Sequence, residues 1–358
     1  MHFFETLDSA IAVLKDVVEN NPDAKPLEEV DALYHGDYSK WLKLANSVKL
    51  RLAMRICYVK PDLAKQYAME AVRDGVMETA DDSALFQSWG SITIINPLEK
   101  IWNGYSDTRM GASMDSYLNG YNDPRLPVYF QPVTEGDNKG EYRGVANGMP
   151  NPQQDDYKAM SAPNVQEKST DSPLRWMMAS EVAFLRAEGA MRGWTAEMGG
   201  TAEEFYNKGI ELSFLENGLR ADAAARYAAD ETSKPTDFTD VSAANTKYNI
   251  SALGKITIKW NAGASEEEQL ERIITQKWIA MFPNGTEAWS EFRRTGYPLI
   301  FPVRSNYPTS GVDTNKQIRR MVFPQSEYAN NGAAVQEAVK LLGGPDNGGT
   351  KLWWDKKN

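Results

Sequence analysis

The chain reads as mainly α-helical, and three observations carry that reading. Apolar residues recur at three- and four-residue steps in three pairs of neighbouring segments. The joints between paired segments hold residues that stop and start helices. Turn-forming residues are gathered into one long stretch, about 81–171, between the first pair and the second. The expected architecture is a helical body of stacked hairpins carrying a long loop-rich insertion and a few short strands.

The first pair spans about 39–73. Trp41, Leu44, Ala45, Val48, Leu52 and Ile56 share one face, while Lys43, Lys49, Arg51 and Arg55 lie mostly off it. Ser39 is the expected N-cap. Pro61 opens the second helix where a missing N–H costs nothing, and Gly75 supplies a left-handed stop. Upstream, Phe3, Phe4, Leu7, Ile11, Leu14 and Val18 form a further apolar stripe. The second pair spans about 176–215, its first helix running from Trp176 to Arg192 and ending at Gly193. The third spans about 266–293, where Ser265 followed by Glu268 fits a capping box. Consecutive hairpins of this kind resemble tetratricopeptide packing, although uneven spacing rules out a regular solenoid. Within the insertion, Asn96-Pro97, Asn122-Asp123-Pro124, Asn147-Gly148 and Met149-Pro150-Asn151-Pro152 mark turns. Further on, Lys255 to Trp260 alternates like a short strand.

Composition narrows the function. The 358 residues carry a formal charge of −10, with 42% hydrophobic and 25% charged side chains. That balance argues against a nucleic-acid binder, which needs a basic face. It does not repel a neutral ligand. Cys57 is the one cysteine, expected to be a small buried hydrophobe, and His2 and His35 are the only histidines. Histidine-based catalysis and a two-histidine metal site therefore have few candidates. No Walker loop, dinucleotide glycine pattern, zinc-protease motif or EF-hand spacing occurs. No apolar run is long enough to span a bilayer. Asp81-Asp82 and Asp155-Asp156 are adjacent carboxylates, whereas a glycosidase needs two facing a common bond across about 5–9 Å.

Six blocks of wording add a resemblance. They are Lys40-Trp41 with Ala45-Asn46-Ser47, Arg51, Ala53 and Arg55; Asp123-Pro124-Arg125; and Glu181 to Ala187-Glu188. Then come Gln276 to Gly285 with Glu287-Ala288-Trp289 and Glu291 to Pro298; Arg319-Arg320 through Phe323-Pro324 to Glu327; and Lys351 to Asp355. In this order they resemble the SusD/RagB-like family of outer-membrane lipoproteins, in the branch described as starch-binding and associating with the outer membrane. Phe323 stands where the family usually writes tyrosine.

The resemblance implies one SusD-like domain over 1–358, without the family's usual export signal, lipid-bearing cysteine and first helices. It implies surface-side outer-membrane attachment by lipid in the full-length form. It also implies non-catalytic capture of an extracellular glycan, with no cofactor or metal, and delivery to a partner TonB-dependent, SusC-like transporter. Peptide ligands are the alternative, with a glycoside hydrolase or a helical interaction module further off. Most signature residues read as scaffold. Glu181, Arg186 and Glu188 are expected to make helix-surface ion pairs. Trp278 and Trp289 are expected to fill core, and Arg293-Arg294 to anchor a loop through carboxylates or carbonyls.

Glycan binding needs flat apolar faces for sugar C–H groups beside amides, carboxylates and arginine for hydroxyls. The segment Phe86 to Phe130 is rich in both. The expected ligand residues are Trp89, Trp102, Tyr105, Arg109 and Tyr121. Trp260 with Asn261, Tyr307 beside Asn306, and Tyr142 and Tyr157 form a second set.

Overall fold

The computed structural model describes residues 2–150, 154–164 and 172–357. The chain opens with α1 (His2–Asn20), α2 (Tyr38–Arg55) and α3 (Pro61–Arg73). Of the N-terminal stripe, Phe4 and Ile11 are buried and Phe3 is exposed. Phe4 stacks on Tyr67 of α3, with centroids 4.0 Å apart. The N-cap of α2 is Asp37, not Ser39. Its Oδ1 accepts from the Ser39 and Lys40 amides at 3.0 and 3.3 Å, and the Ser39 hydroxyl donates to the same oxygen. A carboxylate is the stronger partner for the positive end of a helix, so it takes the role and engages the serine. Pro61 starts α3 as expected, and Gly75 follows it at φ +93°.

The insertion holds short elements. They are β1 (Ala84–Phe86), α4 (Pro97–Glu99) continuing as a wider π-type turn over Lys100–Tyr105, α5 (Ala112–Gly120), α6 (Leu126–Tyr129) and α7 (Gln154–Tyr157). Residues Asn151-Pro152 of the Met149 turn, and 165–171 at the end of the insertion, lie outside the described residues. β1 pairs antiparallel with β2 (Leu174–Met177). Trp176 therefore sits on a strand, and the second hairpin starts three residues later than the sequence suggests. Pro173 breaks the chain just before it, and Leu174 to Met177 then runs extended with side chains on alternate faces.

That hairpin is α8 (Ala179–Gly189), a turn carrying Gly193 at φ +84°, α9 (Thr195–Met198) and α10 (Ala202–Leu215), followed by α11 (Ala221–Ala228). α8 packs on α10, α2 and α12 (Glu266–Ala280), so it is enclosed on all sides. Gly209 lets α10 approach closely: a Cβ there would meet the Phe184 ring at 2.7 Å. α12 begins with Ser265 Oγ accepting the Glu268 amide. Half of the expected capping box forms, because the Glu268 carboxylate pairs with Arg272 instead. α13 (Gly285–Thr295) follows, and α14 (Gln325–Leu342) closes the helical series. Lys255 to Trp260 makes no strand ladder. Its side chains alternate inward and outward, with Ile256, Ile258 and Trp260 buried, but no neighbouring strand pairs with it among the described residues.

The signature charges are interior, which corrects the surface-pair reading of Glu181 and Glu188. Both carboxylates are about 1% exposed. Arg51 of α2 grips Glu181 at 2.8 and 2.6 Å. Arg294 of α13 grips Glu188 at 2.7 and 2.6 Å and also holds Glu291. Lys277 of α12 donates to Glu291 at 2.9 Å. Burial pushes the Glu188 carboxyl up, but Arg294 and Arg192 outweigh it and hold it at about 2. Cys57 lies beside Arg294, 5% exposed, and burial pushes its thiol up. Arg293 donates to the Arg319 carbonyl, Arg319 donates back to the Arg293 carbonyl, and Arg319 also pairs with Asp355 at 2.8 and 2.7 Å. Trp278 and Trp289 border the core rather than fill it. Each is half-buried, Trp278 edge-on to Tyr117 and Trp289 under the Arg293 guanidinium at 3.5 Å.

Candidate functional site

The insertion folds back on itself. Residues 129–134 run beside 159–164, with Gln131 N donating to the Ala162 carbonyl at 2.8 Å and Thr134 N to the Ala159 carbonyl at 3.1 Å. Along this pair lies a groove of about 340 Å³, bordered by Trp102, Ser106, Arg109, Gln131, Glu135 and Lys158. Trp102 and Tyr105 ride on the same π-type turn, which ends at Ser106 in the left-handed region, φ +54°. Trp102 is half-buried and Tyr105 is 62% exposed. The Arg109 guanidinium lies over the Trp102 ring, 4.8 Å from its centroid. It also donates to the Lys158, Ser106 and Thr108 carbonyls, and burial lowers its pKa. Arg109 therefore fixes the tryptophan and the loop around it, with little donor capacity left for a ligand. Glu135 is the one carboxylate among the described lining residues.

Trp89 stands apart from this groove. Its indole N–H donates to the Glu28 carbonyl at 2.7 Å and its ring lies 3.6 Å from that of His35, leaving it 37% exposed. Tyr121 belongs to the core, not to a ligand face. It is 1% exposed and its hydroxyl donates to the Ile256 carbonyl at 3.2 Å. A tyrosine buries well once its one polar atom finds a carbonyl. Of the second set, Trp260 is buried against Tyr206 and Tyr157 is buried on Asp240. Tyr142 is half-buried, and Tyr307 is freely exposed.

A second groove, about 370 Å³, lies at the other end of the 97–105 helix. Sequence reasoning missed it because it placed Trp176 in a helix. Trp176 is 51% exposed and is backed by Phe86, nearly parallel at 5.2 Å. Around it stand Asn96, Asn164, Arg175, Asn217 and Asn284. The signal available was Pro173 followed by a residue run suited to a strand. The same tryptophan borders a third, apolar groove of about 410 Å³ with Leu14, Leu27, Val30 and Phe86.

The adjacent carboxylates do not form an opposed pair. Asp82 is buried, accepting from the Glu78 and Thr79 amides and from Lys43, while Asp81 is exposed. Asp155 and Asp156 are both exposed on α7. Among the described residues, no cluster of three metal-ligating side chains occurs, and no helix is long and apolar enough to cross a membrane.

The family model for SusD-like proteins, described as Susd and RagB outer membrane lipoprotein, matches residues 1–355. The chain belongs to the SusD-like family. Solved relatives share its architecture. A chitin-binding SusD homologue from Flavobacterium johnsoniae is 42% identical, with a TM-score of 0.91 over 99% of this chain and 71% of that one. A SusD-like protein from Bacteroides thetaiotaomicron is 44% identical, with a TM-score of 0.90 over 98% of this chain and 71% of that one. A SusD homologue from Bacteroides vulgatus is 36% identical, with a TM-score of 0.92 over 100% of this chain and 71% of that one. No curated protein matches the chain. This SusD-like chain is thus a mainly helical protein of a family of outer-membrane lipoproteins, built on tetratricopeptide-like hairpins.

Proposed function

We propose that this SusD-like chain, acting as a single domain, captures an extracellular glycan at the cell surface without cleaving it and hands it to a TonB-dependent, SusC-like transporter. The Trp102 groove carries the reading. Its lining offers the Trp102 ring, packed on one side by Arg109, with hydroxyl, amide, ammonium and carboxylate groups from Ser106, Gln131, Lys158 and Glu135, and the exposed Tyr105 follows outside the lining on the same turn. That is the chemistry of sugar recognition, in a volume within the usual range for small ligands. A single carboxylate among the described lining residues supports binding over hydrolysis, which needs two. The chitin-binding relative makes N-acetylglucosamine oligomers the first ligands to try.

Isothermal titration with chitin and starch oligosaccharides tests this, alongside a Trp102→Ala, Tyr105→Ala double variant. Loss of an aromatic anchor costs about 2 kcal/mol or more in affinity, roughly thirtyfold. The expected result is that loss with a melting temperature near the parent's. Binding to oligopeptides and to no oligosaccharide overturns the glycan reading, and release of reducing sugar overturns the non-catalytic one.

A further inference from the structure

Tyr157 holds its segment in place. Of residues 155–158 it alone is buried, while Asp155, Asp156 and Lys158 are exposed. It ends α7, a single helical turn, and one turn does not stabilise itself. The position of that turn therefore comes from side chains. The Tyr157 ring packs in a small cluster with Val133 and Met160. Its hydroxyl donates to Asp240 Oδ1 at 3.0 Å and receives the Asn245 side-chain amide at 2.7 Å. Burial and the Asp240 charge push the pKa of that hydroxyl up to about 12, so it keeps its proton at neutral pH. Asp240 is itself fixed. Its Oδ1 accepts the Ser242 amide at 2.9 Å, and its own amide donates to Asn249 Oδ1 at 2.8 Å. Beside it, Phe238 and Ile250 exchange backbone bonds of 2.9 and 3.0 Å.

The residues directly after Tyr157 build the Trp102 groove. Lys158 and Met160 border it. The Lys158 carbonyl accepts two donors of Arg109, Nε at 3.1 Å and Nη2. Arg109 in turn lies over the Trp102 ring. The Ala159 carbonyl accepts the amide of Thr134, another bordering residue, at 3.1 Å. A line of bonds thus runs from Asp240 through Tyr157, the Lys158 carbonyl and Arg109 to Trp102. Its far end comes from a segment 83 positions along the chain, outside the described lining of the groove. Any shift of the Lys158 carbonyl moves the anchor of Arg109 and with it the packing of the tryptophan. Binding constellations tolerate little looseness in the groups that support them.

We propose that Tyr157 is a positioning residue of the Trp102 groove: its hydroxyl, held by Asp240, fixes the Lys158 carbonyl and, through Arg109, the Trp102 face. This rests on the glycan-capture reading and adds to it a residue outside the groove's described lining. The probes are the chitin and maltose hexasaccharides, titrated calorimetrically well below the melting temperature of every variant. Tyr157→Phe keeps the ring and removes the hydroxyl. It is expected to weaken the sugar that binds the parent by about fivefold, the worth of one net hydrogen bond. Asp240→Ala should do the same, whereas Asp240→Asn keeps the accepting Oδ1 and should bind like the parent. Tyr121→Phe removes a buried hydroxyl bonded to the Ile256 carbonyl, also outside the described lining. It should lower the melting temperature without weakening the sugar. In a Trp102→Ala background, Tyr157→Phe should cost less than about twofold, because the face it positions is gone. Four results overturn the inference and leave glycan capture standing: parental affinity in Tyr157→Phe, the same fold-loss with and without Trp102, an equal loss in Tyr121→Phe, or Asp240→Asn as weak as Asp240→Ala. Sugar binding that Trp102→Ala does not weaken overturns the groove as the site and the positioning role with it. No binding of any oligosaccharide overturns both readings.

Discussion

Replacing Arg125 by methionine tests what fixes the insertion to the helices. Arg125 and Asp123 form an ion pair of 2.7 Å in which neither side chain is exposed. The guanidinium spans both oxygens of Asp123, Ser213 Oγ of α10 at 2.9 Å and Gln276 Oε1 of α12 at 2.9 Å. Methionine keeps much of the apolar stem but leaves the Asp123 carboxylate buried, with the Tyr227 hydroxyl donating to it at 2.8 Å. Breaking one side of a buried pair costs about 3–5 kcal/mol, whereas neutralising both sides costs far less. Unfolding entropy of about 2.1 cal/mol/K per residue, over 358 residues, comes to roughly 0.75 kcal/mol/K. A loss of about 4 kcal/mol therefore lowers Tm by about 5 °C. The assay is differential scanning calorimetry at neutral pH on Arg125→Met and on Asp123→Asn with Arg125→Met. Asparagine keeps the acceptor for the Arg125 amide (2.9 Å) and removes the charge. The double variant is expected to recover at least half the loss. A single-variant drop below about 1 °C, or a double variant no more stable than the single, refutes the buried-charge argument.

Glu271 gives a pH prediction. Burial pushes its carboxyl up to about 7 against the pull of Arg272, and its Oε1 is buried without a partner. The folded chain holds that proton more tightly than the unfolded chain, so this group's contribution is full below about 4.5 and is lost as pH rises through about 7. Glu271→Gln should therefore gain stability relative to the parent as pH rises from about 5 to 8, and a Tm difference independent of pH contradicts the assignment. Gly209→Ala should destabilise: helix propensity favours alanine by about 1 kcal/mol, but a Cβ 2.7 Å from the buried Phe184 ring costs roughly 1–3 kcal/mol. Urea melts decide the sign, and a stabilised variant means that α8 and α10 can move apart cheaply. Lys277→Met leaves Glu291 with Arg294 and Arg55 as partners, so its cost should fall below that of Arg125→Met, and a larger loss places the weight of the network on the lysine.

The helical hairpins were legible because each contributes a stripe with its own stops, such as Pro61 before α3 and Gly75 after it. The error over Glu181 and Glu188 had a signal against it. Ten of the eleven residues of α8 are buried, and Val182 to Leu185 is a consecutive apolar run that leaves the helix no solvent face. Carboxylates on such a helix have to be interior and paired with cations from other helices. Those partners, Arg51, Arg294 and Lys277, come from sequence-distant elements, which local spacing cannot reveal. Trp176 and Tyr121 failed for a related reason. Whether a ring stays exposed depends on what packs over it, and both segments offer the same residue types.

The buried charges and the exposed rings serve one end. Asp123 and Arg125 tie the base of the insertion to α10 and α12. Asp115 of α5 accepts the Gly144 amide and the Asn119 side chain, which fixes the return of the loop beyond residue 140. Arg109 repeats the device at the surface by stacking on Trp102 while binding carbonyls on both sides of the Trp102 groove. A long insertion on a helical frame pays ordering entropy when it binds, unless its arms are already fixed. Polar anchors that reach across the chain remove that cost before the ligand arrives. Among the motifs that make the family recognisable, Asp123-Arg125 holds the insertion and the buried Glu181, Glu188 and Arg294 hold the helices beneath it, so the sequence carries a strong scaffold signal beside a weak ligand signal.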